Sequence, residues 1–252
     1  MSKMYSKSRK KIDWKKRELY SRLLSPEAFI LRIDGRNFSK ILKEFEKPYD
    51  LRFTKAMVET CKEVMREFNP LFAYIFSDEV NFLFKEIFGC RVEKIDSIIA
   101  SEFSSRLSLK LGFPVSFDSR IIYINIEIDE ILDYLKFRQD ECWRNHLNSY
   151  AFYTLLKEIR NRRKTQEFLK GKKSREIHEM LFERGINISK TPTWQRRGIL
   201  VYWSTVELKR MFRGKIVKFK RRKIVENWEL PLFDSEDGKK LLEKILFEVI
   251  NC

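Results

Sequence analysis

What most constrains this chain is an ordered alternation of two hydrophobic periods across residues 27–126. Glu27 to Ile33 is a short apolar run ending at Asp34-Gly35, the pattern of a buried strand entering a turn. Phe53, Met57, Cys61, Val64, Met65 and Phe68 recur at helical spacing, which predicts an amphipathic helix over 51–68, stopped by Asn69-Pro70. Leu71 to Phe76 and Val80 to Phe84 are apolar runs parted by Ser77-Asp78-Glu79, a hairpin signal without a glycine. Ile95, Ile98, Ile99, Phe103 and Leu107 mark a second helix, closed by Gly112, and Val115 to Ile126 reads as a further strand. The order β-α-β-β-α-β is the split βαβ pattern, an antiparallel sheet with two helices on one face. The expected class is α+β, with a polymerase-palm or ferredoxin-like βαββαβ core.

A long helical stretch follows at roughly 129–160, then an exposed basic connection at 161–175 and a helix with a turn within 176–190. Gly198 to Trp203 and Ile216 to Val225 read as strands, and 236–250 as a helix. No Ser/Gly/Pro-rich linker separates the halves. Residues 1–128 therefore read as a palm-like catalytic core, and 129–252 as a helical, basic and partly β extension integrated with it.

The net charge is +16, unevenly placed. Residues 1–22, 160–175 and 209–223 carry net +7, +7 and +9, so the rest of the chain is mildly acidic at −7. A single basic run is usually a solvated surface, but three of them point to a nucleic-acid partner. None has a clear amphipathic apolar face, which argues against a membrane-surface role. No window reaches the length of an apolar membrane span, and the basic N-terminus has no apolar region of the secretory kind behind it. Cys61, Cys90, Cys142 and Cys252 are far apart with no CxxC pair, so neither structural zinc nor a disulfide framework is expected, and a reducing, cytoplasmic location fits. The hydrophobic content of 43% excludes global disorder.

The chemistry is carried by acids. Asp34 closes the first strand, and Asp78 and Glu79 sit at the hairpin between the second and third. In a split βαβ sheet the first strand is central, so Asp34 and Asp78 can converge at one sheet edge. Convergent carboxylates suit hard divalent cations such as Mg²⁺, two of which can bridge a triphosphate and activate an attacking hydroxyl. Alone, Asp34-Gly35 is a common turn pair and Asp78-Glu79 a solvated hairpin tip; their joint placement favours metal binding. A palm-type polymerase, a nucleotidyl cyclase and a non-catalytic RNA binder all remain compatible with this pattern.

Arg32-Ile33-Asp34-Gly35-Arg36-Asn37-Phe38 resembles the first signature of the tRNA-histidine guanylyltransferases, and Phe76-Ser77-Asp78-Glu79-Val80-Asn81-Phe82 the second. Further matches follow in order: Phe45 to Asp50, Ser101 to Ser105, Phe117 to Arg120, Asp133-Tyr134-Leu135 with Arg138-Gln139, and Leu181-Phe182 with Gly185-Ile186-Asn187. The resemblance covers about residues 25–205. It implies a nucleotidyltransferase that extends RNA in the 3′-to-5′ direction on a palm binding two Mg²⁺, with GTP and ATP as substrates. The RNA 5′-end is activated as an adenylyl or triphosphate species, the 3′-hydroxyl of an incoming nucleotide attacks it, and pyrophosphate leaves. Asp34, Asp78 and the Gly35 carbonyl would ligate metal, with Glu79 supporting them among the catalytic acids. Lys47 and Ser77 would contact a triphosphate cradled by the backbone of Arg36, Asn37 and Phe38. Phe45 and Asp50 would lie near the base. Arg32, Arg91 and Lys94 would serve the activation step.

Where the eukaryotic-type members carry His-Ile-Asn-Asn in the long helix, this sequence has Trp143-Arg144-Asn145-His146. That resembles the guanylyltransferase-like branch, which adds nucleotides complementary to a template, and favours tRNA 5′-end repair over strict histidine-tRNA maturation. Trp143, Asn145, His146, Lys172, Lys173, Arg175, Arg196 and Arg197 are the candidate tRNA contacts, against solvated-loop or packed-core alternatives for each. The family's dimer of dimers implies a homotetramer. A cyclase is disfavoured because Phe76-Ser77 stands where diguanylate cyclases have Gly-Gly. A non-catalytic binder is disfavoured because uncompensated acids near phosphate weaken binding.

Overall fold

The computed structural model describes residues 12–212 and 215–250, so half of the N-terminal basic run lies outside the described residues. The expected core is present. Strand β1 (Phe29–Gly35) is followed by a short helix α1 (Phe38–Ile41), helix α2 (Leu51–Phe68) and strands β2 (Phe72–Phe76) and β3 (Glu79–Phe84). Helix α3 (Val92–Leu111) and strand β4 (Phe117–Tyr123) complete it. All pairings are antiparallel, and the sheet runs β4-β1-β3-β2 with β1 inside, as the split βαβ topology requires.

The central strands are buried on both faces, which is why they read as continuous apolar runs rather than as alternations. Phe29, Leu31 and Ile33 of β1, with Ala73, Ile75, Val80 and Phe82, pack against Met57, Cys61 and Val64 of α2 and Ile95, Ile99 and Phe103 of α3. The opposite face, carrying Ile30, Phe72, Tyr74 and Leu83, packs against helix α4 (Ile128–Ile159) through Ile131, Leu135 and Cys142. Helix α8 (Glu236–Ile250) covers the same face through Leu242, Ile245 and Leu246.

The second half completes the sheet. Helices α5 (Arg162–Leu169) and α6 (Ser174–Glu183) follow α4, and a short helix α7 (Thr193–Arg197) leads into strand β5 (Ile199–Phe212). Residues Ile199 to Tyr202 pair with β2; beyond them β5 pairs only with strand β6 (Lys215–Asn227). The strands expected at 198–203 and 216–225 are thus one long two-stranded ribbon, and the stretch read as an open connection at 161–175 holds α5 and the start of α6. The hairpin is also tighter than its three-residue reading. Phe76 pairs with Glu79, so the turn is Ser77-Asp78 alone, with Ser77 at a left-handed φ of 51°.

At the α7–β5 corner Gly198 has φ 79°, and the Tyr74 hydroxyl donates to the Arg197 carbonyl at 2.8 Å. A Cβ on Gly198 would stand 2.6 Å from the Tyr74 ring and 2.8 Å from the Ile75 carbonyl oxygen. Gly198→Ala combines a disfavoured φ with overpacking and should cost about 2–4 kcal/mol in urea unfolding. An unchanged midpoint would show that this corner yields freely.

Candidate active site

Antiparallel register builds the acidic site. Asp34, next to last in β1, stands opposite Glu79 on one side and Asp118 on the other. The Gly35 amide donates to the Asp78 carbonyl at 3.1 Å, tying the end of β1 to the hairpin turn. The Ser77 hydroxyl donates to Asp78 Oδ1 at 2.9 Å. Burial pushes the Asp78 carboxyl up to about 6, and the neighbouring Asp34 and Glu79 carboxylates push the same way against the Ser77 hydrogen bond. A Cβ on Gly35 would meet the Phe38 ring at 2.4 Å and Asp78 Oδ2 at 2.8 Å, so only glycine lets backbone and carboxylate approach so closely.

Among the described residues no group of three His, Cys, Asp or Glu side chains forms a metal cage. The oxygen donors expected here are the Asp34 and Asp78 carboxylates and the Gly35 carbonyl. Such a set would be all oxygen, and burial followed by the Asp34 and Glu79 charges raises the Asp78 pKa, a chemistry that could accept a hard cation such as Mg²⁺.

Glu79 is not available in the same way. Its Oε1 accepts from Asn81 Nδ2 at 2.8 Å and Arg138 Nε at 2.9 Å, and its Oε2 accepts from Arg138 Nη2 at 2.6 Å. Tyr134 Oη donates to Asn81 Oδ1 at 2.6 Å, extending the network along α4. The expected placement of Glu79 in the hairpin turn is therefore corrected: it belongs to β3 and forms an ion pair whose side chains are only 6% and 9% exposed.

Arg32, Asp34, Ser77, Asp78, Glu79 and Arg138, with Glu141 and Asn145 of α4, line a cleft of about 220 Å³. Arg32 Nε is buried without a hydrogen-bond partner in the protein. The Arg36 amide is spent on the Ser116 carbonyl at 2.9 Å, and Asn37 takes a left-handed φ of 61° before α1, which opens at Phe38.

Other expected nucleotide residues are engaged structurally. Lys47 Nζ donates to the Leu42 carbonyl at 2.7 Å, and burial first, then Arg162, lowers its pKa. Asp50 caps α2, accepting from the Arg52 amide at 2.8 Å and the Glu46 amide at 2.9 Å. Its Arg52 partner holds the carboxyl well below the usual range. Phe45 packs on Phe53 and Phe113, under the Arg52 guanidinium.

Arg91 and Lys94 are not brought to the cleft. Arg91 bridges Leu24, ahead of β1, and begins α3 at the Phe29 end of the sheet. Phe29 to Asp34 is about 17 Å at the usual strand rise.

The expected tRNA contacts divide. Lys173 and Arg175 are exposed, and Lys172 lies over the Phe168 ring at 4.8 Å. Asn145 faces the cleft. His146 does not face solvent at all: its exposure is 0%, Nε2 lies 3.0 Å from Thr191 Oγ1, and it packs among Tyr49, Trp143 and Tyr150. It is a core histidine, and Trp143 is half-buried beside it. Arg196 and Arg197 are half-buried and spend guanidinium hydrogens on the Thr191 and Leu230 carbonyls, so part of their role is to hold α7 in place.

Sequence reading gave Arg138 no role. The available signal was its position: Ile131, Leu135, Arg138 and Cys142 lie on one buried stripe of α4. An arginine in an apolar stripe demands a buried acid.

A family model described as tRNAHis guanylyltransferase (Thg1) matches residues 12–125, and one described as the Thg1 C terminal domain matches residues 129–236. The tRNA(His) guanylyltransferase of Schizosaccharomyces pombe is 32% identical over 92% of this chain and 96% of its own length. The tRNA(His) guanylyltransferase 1 of Arabidopsis thaliana is 34% identical over 82% of this chain, which spans only 40% of that protein. A solved bacterial tRNA(His) guanylyltransferase-like protein, in complex with GTP, shares the fold with a TM-score of 0.69 at 22% identity, over 92% of this chain and 96% of that one. The crystal structure of the Saccharomyces cerevisiae tRNA(His) guanylyltransferase aligns with a TM-score of 0.64 at 26% identity, over 82% of this chain and 95% of that one.

Burial, aided by Arg196, lowers the His146 pKa to about 4. A histidine depressed when folded destabilises the fold as pH falls below its unfolded value of about 6.5. Taking pH from 7 to 5 should cost about 2 kcal/mol from this residue, measured by urea unfolding. His146→Gln should flatten that part of the profile; an unchanged slope would locate the pH dependence elsewhere.

Proposed function

The chain belongs to the tRNAHis guanylyltransferase family, and from that premise we propose that it adds nucleotides in the 3′-to-5′ direction to the 5′-end of tRNA, as a template-dependent nucleotidyltransferase. The observation that carries this reading is the meeting of Asp34, Asp78, the Gly35 backbone and Arg32 at one cleft. Asp34, Asp78 and the Gly35 carbonyl would hold two Mg²⁺, which when bound supply charge neutralisation for a triphosphate and its leaving pyrophosphate. Arg32 has an unpartnered guanidinium nitrogen to offer a phosphate oxygen. Ser77 positions Asp78 and is exposed at the turn, where it can meet a nucleotide triphosphate.

Lys47, the backbone of Arg36 to Phe38, and the Phe45–Asp50 segment form the nucleotide-facing side of this reading, with GTP and ATP as substrates. Asp50 keeps that segment fixed by capping α2 and holding the Glu46 amide. Arg91 and Lys94 lie at the other end of the sheet, so a role in 5′ activation would involve a different part of the RNA or a second protomer. A tetramer built as a dimer of dimers fits that separation. Lys173 and Arg175 offer exposed charge to tRNA phosphates, with the half-buried Lys172 beside them. A cytoplasmic location accords with tRNA as substrate.

The Trp143-Arg144-Asn145-His146 segment favours templated repair, whereas the similarity to tRNA(His) guanylyltransferases favours G addition to histidine tRNA. Labelled-nucleotide incorporation into 5′-truncated tRNAs, histidine and others, with each base in turn at position 73 as template, separates the two. Templated repair predicts incorporation that follows base complementarity in several tRNAs. Incorporation of G into histidine tRNA alone, whatever its position 73, would select the strict guanylyltransferase. Asp34→Ala and Asp78→Ala should each lower incorporation by at least about 10³-fold while tRNA affinity stays within about threefold, because phosphate contacts dominate binding. Normal turnover in either variant would sink the metal assignment.

A further inference from the structure

Glu79 lies between the two carboxylates read as cation ligands. It follows Asp78 in sequence and stands opposite Asp34 in register, so three acids crowd the β3 side of the end of β1, with Asp118 across on β4 beside Arg120. Like charges directly opposite on neighbouring strands repel. Arg138 relieves this crowding by taking Glu79 out of it. Two of its nitrogens reach the two Glu79 oxygens at 2.9 and 2.6 Å, in the paired geometry that suits a carboxylate. The guanidinium is itself fixed, 5.4 Å from the Phe76 ring centroid and 5.1 Å from that of Phe137. Asn81, held in turn by Tyr134, occupies a further lone pair of Glu79 Oε1.

We propose that Arg138 is a positioning residue for the divalent-cation site: by pairing with Glu79 it leaves two acidic charges, those of Asp34 and Asp78, for the cations. The inference rests on the reading of those two aspartates as cation ligands. With Arg138 neutral and Glu79 intact, the site holds three acidic charges, one on a side chain freed to compete as a ligand. With Glu79 neutral and Arg138 intact, an unpaired cation stands beside the metals. Only loss of both charges together keeps the balance. A purely structural pair would not behave so, because either single loss would then damage the site in the same direction.

The test compares Glu79→Gln, Arg138→Gln, Arg138→Lys and the double variant Glu79→Gln/Arg138→Gln. Mn²⁺ binding is read by electron paramagnetic resonance on the RNA-free protein, alongside 5′-nucleotide addition. Glu79→Gln should weaken Mn²⁺ binding by about tenfold, within the range found for residues that orient metal ligands. Arg138→Gln should not weaken it, yet should lower the rate of addition by about tenfold as Glu79 disturbs the ligand set. Arg138→Lys and the double variant should bind Mn²⁺ within about threefold of the parent protein. If Arg138→Gln fails to fold, Glu79→Gln and the double variant decide the matter. Equal Mn²⁺ weakening in both single variants, or no recovery in the double, overturns the proposal, as does an absence of Mn²⁺ binding by the parent protein. A parent protein that binds Mn²⁺ with this pattern but adds no nucleotide to any tRNA would overturn the polymerase reading and leave the positioning role standing.

Discussion

The buried Arg138–Glu79 pair joins the two halves of the molecule at their most demanding point. Glu79 opens β3 beside the Ser77-Asp78 turn, and Arg138 projects from the first half of α4. A buried ion pair adds little net stability compared with apolar packing, because desolvation offsets most of the attraction. Breaking one side of it is costly, at about 3–5 kcal/mol. Its contribution is directional. The apolar stripe of Ile131, Leu135 and Cys142 presses α4 onto the sheet, but apolar contact tolerates sliding. Two hydrogen bonds from a planar guanidinium do not. Fixing Arg138 also fixes Glu141 and Asn145, three and seven residues further on, over the same cleft.

The charges around that cleft are kept in mutual tension. Asp34 has an acid opposite it on each neighbouring strand, Glu79 and Asp118, and Asp78 beyond the turn. Glu79 is neutralised by Arg138 in a dry setting. Asp118 has only Arg120, at 3.5 Å with both side chains more than half exposed, where an ion pair counts for little. Asp34 and Asp78 have no protein cation among the described hydrogen bonds and ion pairs, and burial pushes the Asp78 carboxyl up. Unrelieved repulsion of this kind disfavours the folded state unless something binds there, which makes its survival in a well-packed sheet informative about function.

How far this could be read from the sequence differs from residue to residue. The strands around Asp34 and Asp78 were legible because burial on both faces gives unbroken apolar runs, and the split βαβ order then placed the two acids together. Glu79 was misplaced by one position, because only the left-handed φ at Ser77 makes the turn two residues long. No local pattern announces that conformation in serine. His146 is an RNA-contact candidate only through its match to the family's His-Ile-Asn-Asn segment, with packing in the helix as the alternative, and Tyr49, Trp143 and Tyr150 enclose it. Trp143 and Tyr150 are its neighbours one turn away on α4, and the ring that closes the cage, Tyr49, comes from a distant part of the chain that local spacing does not reveal. The ribbon of β5 and β6 reads as shorter because its outer half, rich in lysine and arginine, lacks the apolar alternation of a packed strand; backbone pairing holds it, with an exposed Lys218–Glu207 pair across the strands.

The same topology separates two functions that a flat list of cationic residues would merge. Arg32 shares the cleft with the aspartates because it sits two residues before Asp34 on the same face of β1. Arg91 and Lys94 start α3, and α3 must begin where β3 ends, at the edge of the sheet opposite the Ser77-Asp78 turn. No side-chain rotation moves them across the length of a strand, so within one protomer they do not bind the same phosphate group as Arg32. An antiparallel sheet thus imposes a spacing on its chemistry: residues at one end of neighbouring strands can cooperate on a single metal or phosphate, whereas residues at opposite ends can cooperate only through a long substrate or an assembly.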